Sequence, residues 1–190
     1  DKHPFSSQKT VSFRELVDNS LDEVRGGYGT HVKLSFFADG SVEVKDSGRG
    51  IPVDTSKDGN GVPVSGIYKS LGIIQSGGKF SADSNRFSSG LNGVGASSTV
   101  HTSKRADITV YRSGKCYQLS FKDGTPGFFA SDNDPNATFT ELKDYSELRI
   151  TKDSRPATEK RNYPTGTTIR VWLRDSVFQS EYPYDDQDLI

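Results

Sequence analysis

The stretch FRELVDNSLDEVRGG, residues 13–27, places Glu15, Asn19 and Glu23 four residues apart. On a helix, that spacing stacks two carboxylates and an amide on one face. A carboxylate in such a row can accept a proton, and an amide oxygen suits a hard cation such as Mg²⁺. The other face carries Phe13, Leu16, Val17, Leu21 and Val24 at helical spacing, an apolar stripe for a core. A plainer reading makes the polar row a solvated face, with Glu15 closing a Ser12-x-x-Glu15 capping box.

Three glycine motifs follow. Asp46-Ser47-Gly48-Arg49-Gly50 has the form D-x-G-x-G. A carboxylate at a strand end can accept hydrogen bonds from an exocyclic amine while a bare backbone lies against a flat ring; an ordinary turn uses the same residue types. Gln75-Ser76-Gly77-Gly78-Lys79-Phe80 offers one lysine on a glycine elbow, suited either to a phosphate or to solvent. Gly90-Leu91-Asn92-Gly93-Val94-Gly95 opens a helix. Free N–H groups and the helix dipole there favour an anion. Its G-x-x-G-x-G spacing is not the dinucleotide fingerprint, and no G-x-x-x-x-G-K-[ST] loop occurs.

These residues need elements to hold them. The first helix is expected over residues 13–27, capped by Ser6 or Ser7 and ended by Gly26-Gly27. Residues 31–38 and 41–45 alternate around Asp39-Gly40 as a hairpin that delivers Asp46 to its end. Residues 54–61 read as a polar turn, 64–75 as a second helix stopped by Gly77-Gly78, 79–92 as a polar mobile stretch, and 93–102 as a short helix. A second hairpin spans 107–112 and 116–122 around Ser113-Gly114. A turn over 123–126, a loop or edge over 128–136 and a weaker strand over 137–142 come next. The last strands are 146–152 and 167–174, joined by a polar link with Pro156 and Pro164. Hairpins dominate, which predicts an α+β two-layer sandwich with a mixed, mostly antiparallel sheet and helices on one face.

The chain has 190 residues and reads as one domain. Its 24 basic and 25 acidic residues give a net charge of -1, without the basic excess that direct DNA binding calls for. No apolar run approaches membrane-span length. A single cysteine, Cys116, precludes an internal disulfide and points to the cytoplasm. His3, His31 and His101 show no metal-ligand spacing.

In combination and in this order, ELVDNSLDE, DSGRGIPVD, SGGKF and SGLNGVG resemble the ATP-binding (GHKL-type) domain of bacterial type II DNA topoisomerase B subunits, those of gyrase and topoisomerase IV. The resemblance runs over about residues 13–178. It implies ATP and Mg²⁺ as ligands, or a competitive inhibitor in the same pocket. Glu15 matches the general base that activates water, and Asn19 the Mg²⁺ ligand that also meets phosphates. Asp46 matches the acid bonded to the adenine amino group, with Thr167 sharing a bridging water. Gly50 and Ile51 match backbone beside adenine, and Glu23 and Arg49 a salt-bridged pair at the rim, with Arg49 and Pro52 lining one side. Lys79, Gly90, Leu91, Asn92, Gly93, Val94 and Gly95 match the phosphate lid, and Arg112 an arginine that contacts competitive inhibitors. Ser89 and Asn92 stand where the family has glycine and histidine, and Asn85 where tyrosine is common, which alters the side-chain contacts of the lid. The N-terminal arm and transducer domain that the family implies are expected to lie outside this chain, so weak turnover is expected of it alone. The family implies dimerisation and pairing with a topoisomerase A subunit and DNA. Mismatch-repair ATPases, chaperones and histidine kinases share the superfamily and form the alternative.

Overall fold

The computed structural model describes residues 8–73, 94–132, 134 and 136–174. The first helix, α1, runs Gln8–Arg25. It begins before the expected residue 13, so Ser12 stands inside the helix and cannot cap it. The capping-box reading of Glu15 falls on that ground; Ser6 and Ser7 lie outside the described residues. The C-terminal end is as read: Gly27 takes φ +78, and the chain turns away.

The hairpin that follows pairs β1 (Val32–Phe36) with β2 (Val42–Asp46), antiparallel, with Val32 opposite Asp46. Residues 54–61 are not only a turn. β3 (Thr55–Lys57) and β4 (Pro63–Ser65) form a small separate hairpin. The Asp58 carboxylate closes it by accepting from the backbone N–H of Asn60 and Val62. The expected helix over 64–75 therefore starts late. The Ser65 hydroxyl accepts from the Tyr68 N–H at 3.3 Å, and a π-helical turn covers Tyr68–Gly72. The rest of that expected helix, the GGK elbow and the 79–92 stretch lie outside the described residues.

Next, α2 (Val94–Thr102) passes without a loop into β5 (Ser103–Arg112), a longer strand than the expected 107–112. The Ser103 hydroxyl bonds the Thr99 carbonyl at 2.6 Å at the join. Then come β6 (Lys115–Lys122), β7 (Thr125–Phe129), β8 (Phe139–Glu141) and β9 (Arg149–Lys152). β7 corrects two expectations: the turn is only Asp123-Gly124, and 125–129 is strand rather than turn and loop. Its Pro126 sits opposite Phe121. A short helix, α3 (Ala157–Asn162), lies within the link read as irregular, and β10 (Gly166–Leu173) ends the described chain. Pro156, with φ -58, leads into α3, the place where a proline costs a helix nothing.

Among the described residues the main sheet has eight strands in the order β1-β2-β10-β5-β6-β7-β8, with β9 paired to β6. Every pairing is antiparallel. The α+β two-layer class thus holds. Val42, Val44, Ala106, Ile108, Val110, Leu119, Phe121, Ile169 and Val171 form the inner face of the sheet, and Phe13, Leu16, Ile67, Leu71, Ala96 and Val100 close the core from the helical layer. Side chains alternate along a strand, so Asp46 and Thr167 share that inner face with Val44 and Ile169. Lys45 points the other way and pairs with Glu159 of α3, which places α3 against the outer face.

Among the described residues the largest fully buried side chain is charged. Arg105 is 2 % exposed. It pairs with Asp107, donates to the carbonyls of Ser131 and Asp134, and packs on the rings of Phe129 and Trp172. Its charge and its donors are thereby met inside the fold, and it ties the β7–β8 loop to the sheet.

Candidate functional site

The site forms where β2 ends against α1. Asp46, 7 % exposed, is the last residue of β2. Its Oδ1 accepts from the Gly48 N–H at 2.8 Å and from the Thr167 N–H at 3.2 Å. Its Oδ2 accepts from the Ser20 hydroxyl of α1 at 3.3 Å. A carboxylate has about four acceptor positions; three are taken, and Oδ2 keeps one. Burial pushes the Asp46 carboxyl above the ordinary aspartate range. The Gly48, Thr167 and Ser20 bonds oppose the rise, and the nearby Glu23 charge adds to it.

Glycine makes this corner possible. Gly166 has φ +141, and any side chain there would collide with the Asp46 carbonyl oxygen. The tight contact brings β10 up to the D-x-G-x-G turn. There the Thr165 hydroxyl donates to the Gly48 carbonyl at 2.7 Å, and the Thr167 hydroxyl accepts from the Ile51 N–H at 3.1 Å. The Thr167 O–H keeps its own hydrogen to donate. Gly50, with φ +76, lies against Val110 and the Arg112 stem. Pro52 follows, its carbonyl packed against Gly66.

The polar face of α1 crosses this corner along its length. Glu23 Cβ packs on Gly48, so a side chain there would come within 2.8 Å of it. The Glu23 carboxylate forks Arg49: Oε1 accepts from Nη2 at 2.6 Å, and Oε2 from Nε at 3.1 Å and from the backbone N–H at 2.9 Å. Burial raises the Glu23 pKa, but the Arg49 bonds and charge outweigh it and hold the carboxyl below its ordinary value. Two turns earlier, the Glu15 carboxylate lies against Gly95 in the first turn of α2, where any side chain would collide with it. Asn19 stands between them on the same face, exposed. Glu15, Asn19 and Glu23 therefore run from the α2 N-terminus, past the Asp46 corner, to Arg49.

The structure thus brings together Glu15, Asn19, Glu23, Asp46, Arg49, Gly50, Ile51, Pro52, Gly95, Arg112 and Thr167. Val94 opens α2. Lys79, Gly90, Leu91, Asn92 and Gly93 lie outside the described residues. No group of three His, Cys, Asp or Glu suited to a metal occurs among the described residues. Asn19 as a ligand does not require one, since phosphate oxygens and water complete the shell of a nucleotide-bound Mg²⁺. Sequence reasoning missed Ser20 and Thr165. Ser20 adjoins Asn19, and a serine three residues before Glu23 signals only that it shares a helix face. Thr165 falls in the link with Pro164, one residue before β10 begins at Gly166, and nothing in its spacing marked it.

Residues 11–177 match the family model of histidine kinase-, DNA gyrase B-, and HSP90-like ATPases. The topoisomerase subunit TopoN of Mycolicibacterium smegmatis is 42% identical over 166 residues, 85% of this chain and 22% of that protein. The B subunit of DNA gyrase from Thermotoga maritima is 37% identical over 132 residues, 68% of this chain and 20% of that protein. In structure, the ATP-binding domain of Francisella tularensis topoisomerase IV, solved with a small-molecule inhibitor, superposes with a TM-score of 0.61 at 30% identity, over 90% of this chain and 38% of that one. The chain spans about a fifth of the length of these curated relatives. With the family model covering nearly all of the described residues, this chain belongs to the histidine kinase-, DNA gyrase B-, and HSP90-like ATPase family.

Proposed function

We propose that this chain is the ATP-binding and ATP-hydrolysing domain of a type II DNA topoisomerase B subunit. In that reading, nucleotide binding closes a subunit dimer and drives DNA strand passage with a topoisomerase A subunit. The observation that carries it is Asp46: a buried carboxylate with three acceptor positions filled and one on Oδ2 left. That remaining position fits an exocyclic amine such as that of adenine. The Thr167 hydroxyl adds a donor beside it. The likeness to topoisomerase subunits supports the choice of machine.

The order of groups along α1 sets the order of the ligand. Adenine lies at Asp46, beside the Gly50–Ile51 backbone and Pro52, with Glu23–Arg49 at the rim. The phosphates run toward Asn19 and the α2 N-terminus, where Val94 and Gly95 present backbone N–H groups. The resemblance assigns further phosphate contacts to Lys79 and Gly90 to Gly93, outside the described residues. Asn19 would hold Mg²⁺, whose chemistry is to offset phosphate charge. Glu15 takes a proton from the attacking water at its carboxylate, beside the terminal phosphate.

A carboxylate next to a polyanion does not help ground-state binding; its contribution appears only as water attacks. Glu15→Ala in the intact protein is therefore expected to cut ATP turnover by about 10²–10⁴-fold, with nucleotide affinity kept. Turnover and affinity measured on the same variant test this. Normal hydrolysis would remove Glu15 as the base.

A further inference from the structure

We propose that Tyr28 is a positioning residue for the pocket rim: its ring holds the Arg49 guanidinium in place and so sets affinity for a flat ring bound beside Asp46. This rests on the reading of Arg49 as part of a nucleotide pocket. Tyr28 is 52 % exposed and takes no part in the core. One ring face nonetheless covers Arg49, whose guanidinium carbon lies 3.6 Å from the ring centroid. Among the described residues its hydroxyl has no hydrogen-bond partner, so the ring face is the part that acts.

The helix end is built to deliver this ring. Gly27 N–H donates to the Val24 carbonyl and Tyr28 N–H to the Glu23 carbonyl, each at 2.9 Å, with Gly27 at φ +78. This is the Schellman arrangement, and it reverses the chain at Tyr28. Gly26 leaves room for the ring to fold back, since a Cβ there would come within 2.9 Å of Tyr28 Cδ2 and Cε2. The residue that fixes the ring's backbone, Glu23, is the one whose carboxylate forks Arg49. One edge of the guanidinium is held by Glu23 and one face by Tyr28. Removing the ring leaves the fork and takes away the contact on that face of the guanidinium.

The test is calorimetry of ADP on the wild-type chain, Tyr28→Ala, Tyr28→Phe, Arg49→Ala and the Tyr28→Ala/Arg49→Ala double variant. Tyr28→Ala is expected to weaken ADP by about two- to five-fold, the scale of an exposed cation–π contact. Tyr28→Phe is expected to restore wild-type affinity. In the Arg49→Ala background, Tyr28→Ala is expected to add nothing. Equal affinity for Tyr28→Ala and wild type would overturn the inference. So would a Tyr28→Phe as weak as Tyr28→Ala, or the same loss with Arg49 absent, which would leave Tyr28 as a helix end only. If the wild-type chain bound no ADP, the nucleotide reading itself would fall.

Discussion

At the scale of the residue, Asp46 is the group on which the site turns. Its burial raises its pKa, and a protonated carboxyl no longer accepts freely from an amine. Adenine-nucleotide affinity should therefore decline on the acid side at a pH above the ordinary aspartate value of 3.8. Asp46→Asn should lack that limb. A titration of affinity against pH checks both. A wild-type profile that stays flat until the fold itself unfolds would contradict the assignment. Asp46 was legible in the sequence only because its D-x-G-x-G stands in order with the other motifs; alone it reads as an ordinary turn. Its partners Ser20 and Thr165 were not, because both reach it through tertiary contacts, from 26 residues away for Ser20 and, by way of the Gly48 carbonyl, 117 for Thr165.

At the scale of the element, the hairpins at Asp39-Gly40 and Ser113-Gly114 were read correctly, whereas the β3–β4 hairpin, β7 and α3 were not. Asp39-Gly40 and Ser113-Gly114 both join strands, with Gly40 at φ +77 and Gly114 at φ +72. β7 escaped because Pro126 and Gly127 disfavour a strand, yet Gly127 is the residue there that permits the close approach of β8, packing against Thr140 and Phe139. α3 escaped because six residues between two prolines carry no periodicity. It is held instead by its surroundings. Asp153 and Arg155, each with a side chain 7 % exposed, form a forked pair just before it, and Arg155 lies 3.4 Å over the Tyr111 ring. The Arg155 hydrogen bonds pull the Asp153 pKa down to about 2. A depressed folded-state pKa means stability present above the unfolded value and lost as pH falls. The contribution should fade between pH 3.8 and about 2. Asp153→Asn should melt lower at neutral pH, on the order of 5 °C, because it leaves a buried guanidinium without its counter-charge. The gap to wild type should close as pH drops through that window. Parallel melting curves that never converge in acid would contradict the pairing.

At the scale of the molecule, eight antiparallel strands among the described residues form a floor. α1, the Tyr68–Gly72 turn and α2 cover one side of it, and the site sits where α1 crosses the ends of β2 and β10. The proposed function makes one chemical claim of this arrangement: the floor reads an amine. A guanine ring presents a carbonyl oxygen where adenine presents its amino group, and an acceptor facing the Asp46 carboxylate leaves both groups unpaired in a buried place. The direct measurement is calorimetric titration of ADP and GDP into the wild-type chain and into Asp46→Asn. The account expects ADP to bind the wild type, GDP to bind far more weakly, and Asp46→Asn to lose roughly 1.5–3 kcal/mol for ADP, about 10- to 100-fold. Equal binding of ADP and GDP, or an Asp46→Asn variant that binds ADP as the wild type does, would contradict it.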